Sequence, residues 1–101
     1  MQEVRPEEEV TADLLSLVLA RKEVNELMQS HWDFLTYREQ QVAALACLNY
    51  TNQQIAVRLK ISTTTVATHI RSVLQEFDLH SKEELRQALS GWDFSAWEDA
   101  C

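Results

Sequence analysis

At 101 residues with a formal net charge of -7, one Gly, one Pro and two Cys, the chain has one domain's worth of core, too few turn-formers for a hairpin-rich fold and no disulfide framework. The acidity excludes a generic, charge-driven nucleic-acid binder, but it belongs to the ends: residues 1–35 carry eight acids and three bases, 36–90 five acids and six bases, and 91–101 three acids and no base. Leu, Ala, Glu, Gln and Arg dominate, so the expected class is all-α.

The first nine residues, MQEVRPEEE, are acidic and hold the only Pro, and they read as a frayed lead-in to about Glu7. A helix is expected over roughly residues 8–29, because Val10, Leu14, Leu17, Val24 and Met28 recur at helical spacing with Leu15, Val18 and Leu27 beside them. So wide a stripe needs a cover, either the core of the same chain or a second copy. Leu14, Leu17 and Val24 are the candidate dimer contacts here, although Arg21 interrupts the cleaner seam and only about two and a half heptads exist. Both covers stay open. The next segment, SHWDFL from Ser30 to Leu35, loses the periodicity and is expected to be a connection anchored by Trp32 and Phe34.

Thr36 and Glu39 make a capping box that opens a helix through Val42, Leu45 and Leu48. Cys47 within it reads as a small core residue, and Asn49 follows the last turn, where a left-handed residue is commonly needed. Thr51 with Gln54 forms a second box, and Tyr50 is placed to staple onto Ile55. Only Lys60 and Ile61 then separate Leu59 from Ser62, the N-cap of a helix expected over 62–77 whose inner stripe is Val66, Ile70, Val73, Leu74 and Phe77. Two helices joined so tightly must cross sharply, which is a helix-turn-helix by geometry. Ser81 and Glu84 start a last helix, over 81–90, through Leu85, Ala88 and Leu89, with Gly91 as its stop. The tail WDFSAWEDAC sets Trp92, Phe94 and Trp97 among acids; it either caps an apolar edge of the domain or docks on a partner.

The residues LTYRE (Leu35 to Glu39), TNQQIA (Thr51 to Ala56), Leu59, Ile61, Ser62, Thr65, Val66, His69 and Ile70 make the stretch from about Leu35 to Leu89 resemble the C-terminal DNA-binding domain of the LuxR/FixJ/GerE regulators. The resemblance implies a four-helix helix-turn-helix domain at 35–90, flanked by an acidic extension with an amphipathic helix at 1–34 and an acidic aromatic tail at 91–101. It implies a transcriptional regulator whose helix 62–77 enters the major groove and whose helix 81–90 supplies a dimer contact, here through Leu85 and Leu89. The chain departs from the family pattern at Ala67 and Glu76, where positive charge is usual, and at Asn49 and Tyr50, where Gly is usual. The first two departures remove expected phosphate contacts and lower the expected affinity and salt slope.

With Val66, Ile70, Val73 and Phe77 inward, a rotation of 100° per residue turns Thr64, Thr68, Arg71, Ser72 and Gln75 outward. Thr64, Thr65, Ala67, Thr68 and Arg71 are therefore the candidate base contacts: short side chains let the helix lie close to base edges, and Arg71 is long enough to reach a guanine or a phosphate. Thr51, Asn52, Gln53, Gln54, Arg58, Lys60 and Lys82 are the candidate phosphate contacts. His69 reads as a packing residue on the flank of the inner stripe, His31 and His80 have no Cys or carboxylate at ligand spacing, and no Gly-rich phosphate loop or nucleophile elbow is present. No metal, cofactor or enzymatic activity is expected, and no apolar run reaches the roughly 18 residues of a membrane span. With no charged leader before an apolar core, a cytoplasmic protein is expected, and the resemblance implies a homodimer that binds double-stranded DNA. No sensing domain fits in 35 residues, so the chain is expected to be a stand-alone regulator or a fragment. The alternative, motivated by the net charge, Ala67 and Glu76, is a helix-turn-helix scaffold used as a protein-interaction module or with impaired DNA binding, with the acidic termini meeting a protein partner.

Overall fold

The computed structural model describes the backbone of residues 6–99 and the side chains of residues 14–99. The described chain is helical without a strand, in the order α1 (Pro6–Phe34), α2 (Tyr37–Cys47), α3 (Asn52–Leu59), α4 (Thr63–Phe77), α5 (Lys82–Ala88) and α6 (Ser95–Asp99). Its long dimension is 66 Å against 25 and 20 Å across, because α1 runs on well past the bundle formed by the other helices.

Local chemistry sets each start. Thr36 accepts from the Glu39 amide and Glu39 Oε1 accepts from the Thr36 amide, closing the box at α2; Thr51 and Gln54 do the same at α3. Ser62 accepts from the Thr65 amide at α4. At α5 the box is displaced by one residue: Ser81 accepts from the Glu84 amide, but the Glu84 carboxylate returns to the amide of His80. Each satisfied donor removes an orphan amide of the first turn. Thr36→Ala is expected to cost about 0.5–2 kcal/mol of stability, measured by denaturant unfolding.

The ends are left-handed where the chain must turn. Asn49 has φ 72°, as its place after α2 requires, and Gly91 has φ 92° after α5. Lys60 (φ 59°) and Asp78 (φ 56°) close α3 and α4 in the same way. Residue type does not signal Lys60, since a left-handed Lys carries a Cβ penalty that its neighbours must offset, whereas Asp is among the non-Gly types that visit this region.

The core has two adjoining halves. Val42, Leu45, Ala46, Ile55, Ala56, Leu59, Val66 and Ile70 hold α2, α3 and α4 together, with Tyr50 and Ile61 packed against them as the two staples require. The other half joins Ala43, Ala44, Val73, Phe77, Leu85 and Leu89 to Trp32, Leu35 and Phe94. Leu48 and Leu74 touch both halves.

One expectation about the flanks is corrected. Ser30 to Leu35 is not a connection: α1 continues through Phe34, because Met28, Trp32 and Leu35 keep the helical spacing of the stripe and pack on the bundle. The helix expected over 8–29 is thus longer at its end. The tail takes the first of its two expected places and caps an apolar edge of the domain. Trp92, Phe94 and Trp97 surround Trp32 with ring centroids 5.8, 5.5 and 5.8 Å away, and Trp97 lies in a short helix, α6.

Candidate nucleic-acid interface

The turn between α3 and α4 is held from both sides. The Ile61 amide donates to the Ala56 carbonyl at 3.1 Å, Ser62 caps α4, and the burial of Val66, Ile70, Val73 and Phe77 fixes which way the helix is rotated. The remaining face is an unbroken line of Thr64, Thr68, Arg71 and Gln75, all exposed. These sit at spacings of four, three and four residues, so they lie along one side of the helix axis. The Thr68 hydroxyl donates back to the Thr64 carbonyl at 3.1 Å. Thr63, also exposed beside the cap, extends the surface at the end nearest the turn. Sequence reasoning passed over it, although its place at the first helical position was the available signal.

The five candidate base contacts do not stand alike. Thr64, Thr68 and Arg71 are exposed, whereas Thr65 and Ala67 are half-buried at the margin. The Thr65 hydroxyl lies 2.9 Å from that of Ser62, so it serves the cap. Arg71 is the one basic residue of α4 apart from His69.

The candidate phosphate contacts divide more sharply. Gln53, Gln54, Thr51 and Lys60 are exposed, with Thr51 and Gln54 already sharing the capping box. Asn52 accepts from Lys82 Nζ at 3.0 Å, and the same ammonium reaches the Tyr50 carbonyl at 3.5 Å; this pair ties the start of α5 to the start of α3. Burial, and then the nearby Arg86 charge, lower the Lys82 pKa. Arg58 lies over the Tyr50 ring, 5.0 Å from its centroid, and donates to the Glu98 carbonyl at 2.7 Å. Tyr50 in turn donates to the Glu98 carboxylate at 2.7 Å. Arg58 and Lys82 are therefore already drawn into contacts that hold the fold. No sequence spacing signals the Arg58 contact, because its partner is 40 residues away.

Two further placements change the sequence reading. Leu85 and Leu89 are 0% and 2% exposed, so their side chains fill the core and are not available to a second copy. Glu76 does not lie on the outward line of α4; its carboxylate sits 3.2 Å from His31 Nδ1 and the His31 ring packs on Phe77. That acid positions α1, so it is no loss from the outward face.

No group of three or more His, Cys, Asp or Glu that could hold a metal is found among the described residues. No described helix is long and apolar enough to cross a membrane. Burial pushes the Cys47 thiol up to about 12 against the opposing pull of Arg86. Cys47 is accordingly expected to resist thiolate-selective reagents at pH 8 until the chain is unfolded, as measured by labelling with and without denaturant.

Comparison with known proteins follows this geometry. The profile of "Bacterial regulatory proteins, luxR family" matches residues 33–89. Curated relatives include the "HTH-type transcriptional regulator MalT" of Yersinia pestis (strain Pestoides F), of Yersinia pseudotuberculosis serotype O:1b (strain IP 31758) and of Serratia proteamaculans (strain 568). Each is 39% identical over 72 residues, covering 70% of this chain and 8% of the relative. The chain thus spans a small part of the relatives' length. No solved structure gives a significant match.

Proposed function

We propose that this chain, which belongs to the luxR family of bacterial regulatory proteins, is a sequence-specific DNA-binding transcriptional regulator of the cytoplasm that lays α4 in the major groove and works as a homodimer. The observation that carries the reading is the exposed line of Thr64, Thr68, Arg71 and Gln75 on a helix locked by its cap and its buried stripe. Small hydroxyls admit the helix close to base edges, and a single guanidinium supplies the long-range donor. Phosphates are met by the start of α3, through Gln53, Gln54 and its amide-rich N-terminus, and by Lys60 at the turn. With Arg58 and Lys82 engaged elsewhere, few ionic contacts remain, so affinity and salt slope are both modest and a second half-site adds what one domain lacks.

A selection from random duplexes with the purified protein at low and moderate salt tests this. Enrichment of one sequence, with binding that weakens as salt rises, supports it; no enrichment at low salt contradicts it. The second reading, a scaffold that binds a protein, is favoured by the same inward commitment of Arg58 and Lys82. It is selected if a stable protein complex forms while no duplex is retained.

A further inference from the structure

The outward side of α4 is selective in what it can offer to a base edge. Thr64, Thr68 and Arg71 are exposed and Ala67 is half-buried beside them, with no carboxylate and no amide side chain among the four. At 100° per residue, Arg71 stands one turn beyond Ala67 and Thr68 and between them in angle. Helical side chains lean toward the N-terminus, so the Arg71 stem is directed over the turn that carries Ala67 and Thr68. Thr68 is restricted further. A hydroxyl has one hydrogen to give, and this one goes to the Thr64 carbonyl at 3.1 Å. Thr68 is left with a methyl and an acceptor lone pair, and Ala67 has a methyl alone.

We propose that α4 reads a guanine with Arg71 and, in the neighbouring base pair, the C5-methyl of a thymine with Thr68 and Ala67. This rests on the DNA-binding reading above and names the bases of its site. Guanine alone among the bases shows two acceptors and no donor in the major groove, which fits a guanidinium with five donors and no acceptor. Thymine alone carries a methyl there, and two adjoining side chains that hold methyls and no available donor are matched to it. The neighbouring position follows from distance. Thr68 and Arg71 are three residues apart, about 4.5 Å along the helix axis, close to the ~3.4 Å between successive bases of a strand.

The intact protein is titrated with the duplex enriched by the selection above, and with the same duplex carrying deoxyuridine for the thymine beside the guanine, a change that removes only the methyl. The wild-type protein is expected to bind the uracil duplex about fourfold more weakly, the effect of uncovering one methyl-sized group. Thr68→Ser deletes the protein's methyl and keeps the hydroxyl; it is expected to weaken binding to the thymine duplex and to shrink the preference for thymine over uracil. Thr68→Val, which restores a methyl without the hydroxyl, is expected to restore that preference. Thr68 is exposed, so both variants should unfold close to the wild-type midpoint, which controls for the fold. Equal binding of the two duplexes by the wild type overturns the inference. So does a Thr68→Ser that keeps the full preference, or a Thr68→Val that fails to restore it, which assigns the hydroxyl to an adenine or cytosine amino group. An enriched site without a guanine and thymine in neighbouring pairs overturns the inference and leaves the proposed function standing. A selection that enriches no sequence removes the proposed function and this inference with it.

Discussion

Trp32→Ala is expected to lower the free energy of unfolding by about 3–5 kcal/mol, the range for deleting a large buried aromatic. Trp32 is 7% exposed at the end of α1, and its ring is met by Trp92, Phe94 and Trp97 in tilted and edge-on arrangements that add to simple burial. Removing it leaves three aromatic side chains from the C-terminal segment without the surface they close over. The loss spreads along the chain, since α6 depends on that seat and carries Glu98, which engages Tyr50 and Arg58. The Gln40 bond to the Trp32 carbonyl survives, because its acceptor is backbone. Chemical denaturation should show a lower midpoint with an unchanged slope. A loss below about 1 kcal/mol would show that the aromatic cluster is not part of the cooperative fold.

Arg71→Ala is expected to weaken binding to the selected duplex by about 1–3 kcal/mol, or roughly 5- to 150-fold. The residue is exposed on the outward line of α4, where its fork can meet the two acceptors of a guanine or a phosphate oxygen. The two roles separate in one experiment. A base contact relaxes preference at a single position and leaves other positions alone, whereas a phosphate contact weakens all duplexes alike and lowers the salt slope by about one. Since the substituted side chain is exposed, the folded structure should be retained, and the unfolding midpoint provides the control. Unchanged affinity would remove Arg71 from the interface.

Much of the central unit was legible because it is written in local chemistry. Thr36, Thr51 and Ser62 announce their helices through amides three residues away, and the stripe from Val66 to Phe77 announces which face remains outside. What could not be read is long-range. Arg58 looks like a solvated charge until Glu98 is brought to it, and Glu76 looks like a lost phosphate contact until His31 arrives from the other end of the chain. Leu85 and Leu89 carry the spacing of an exposed seam and of a core alike, since period alone does not say which side is covered. The segment SHWDFL failed for a related reason: a helix that turns from solvent onto a domain swaps leucines for aromatics, and the stripe is continuous only when both are counted as apolar.

Packing at the far end of the α1 stripe seats the domain through Met28, Trp32 and Leu35. Under the proposed function, the acidic composition limits single-domain affinity and the line from Thr64 to Gln75 carries the specificity.

The most direct test is an equilibrium titration of the intact protein with its selected duplex and with a base-scrambled duplex of equal length, repeated across a salt series. The account predicts a clear preference for the selected sequence at every salt concentration, with both affinities falling as salt rises. Equal affinity for the two duplexes, or no binding to either at low salt, would contradict it.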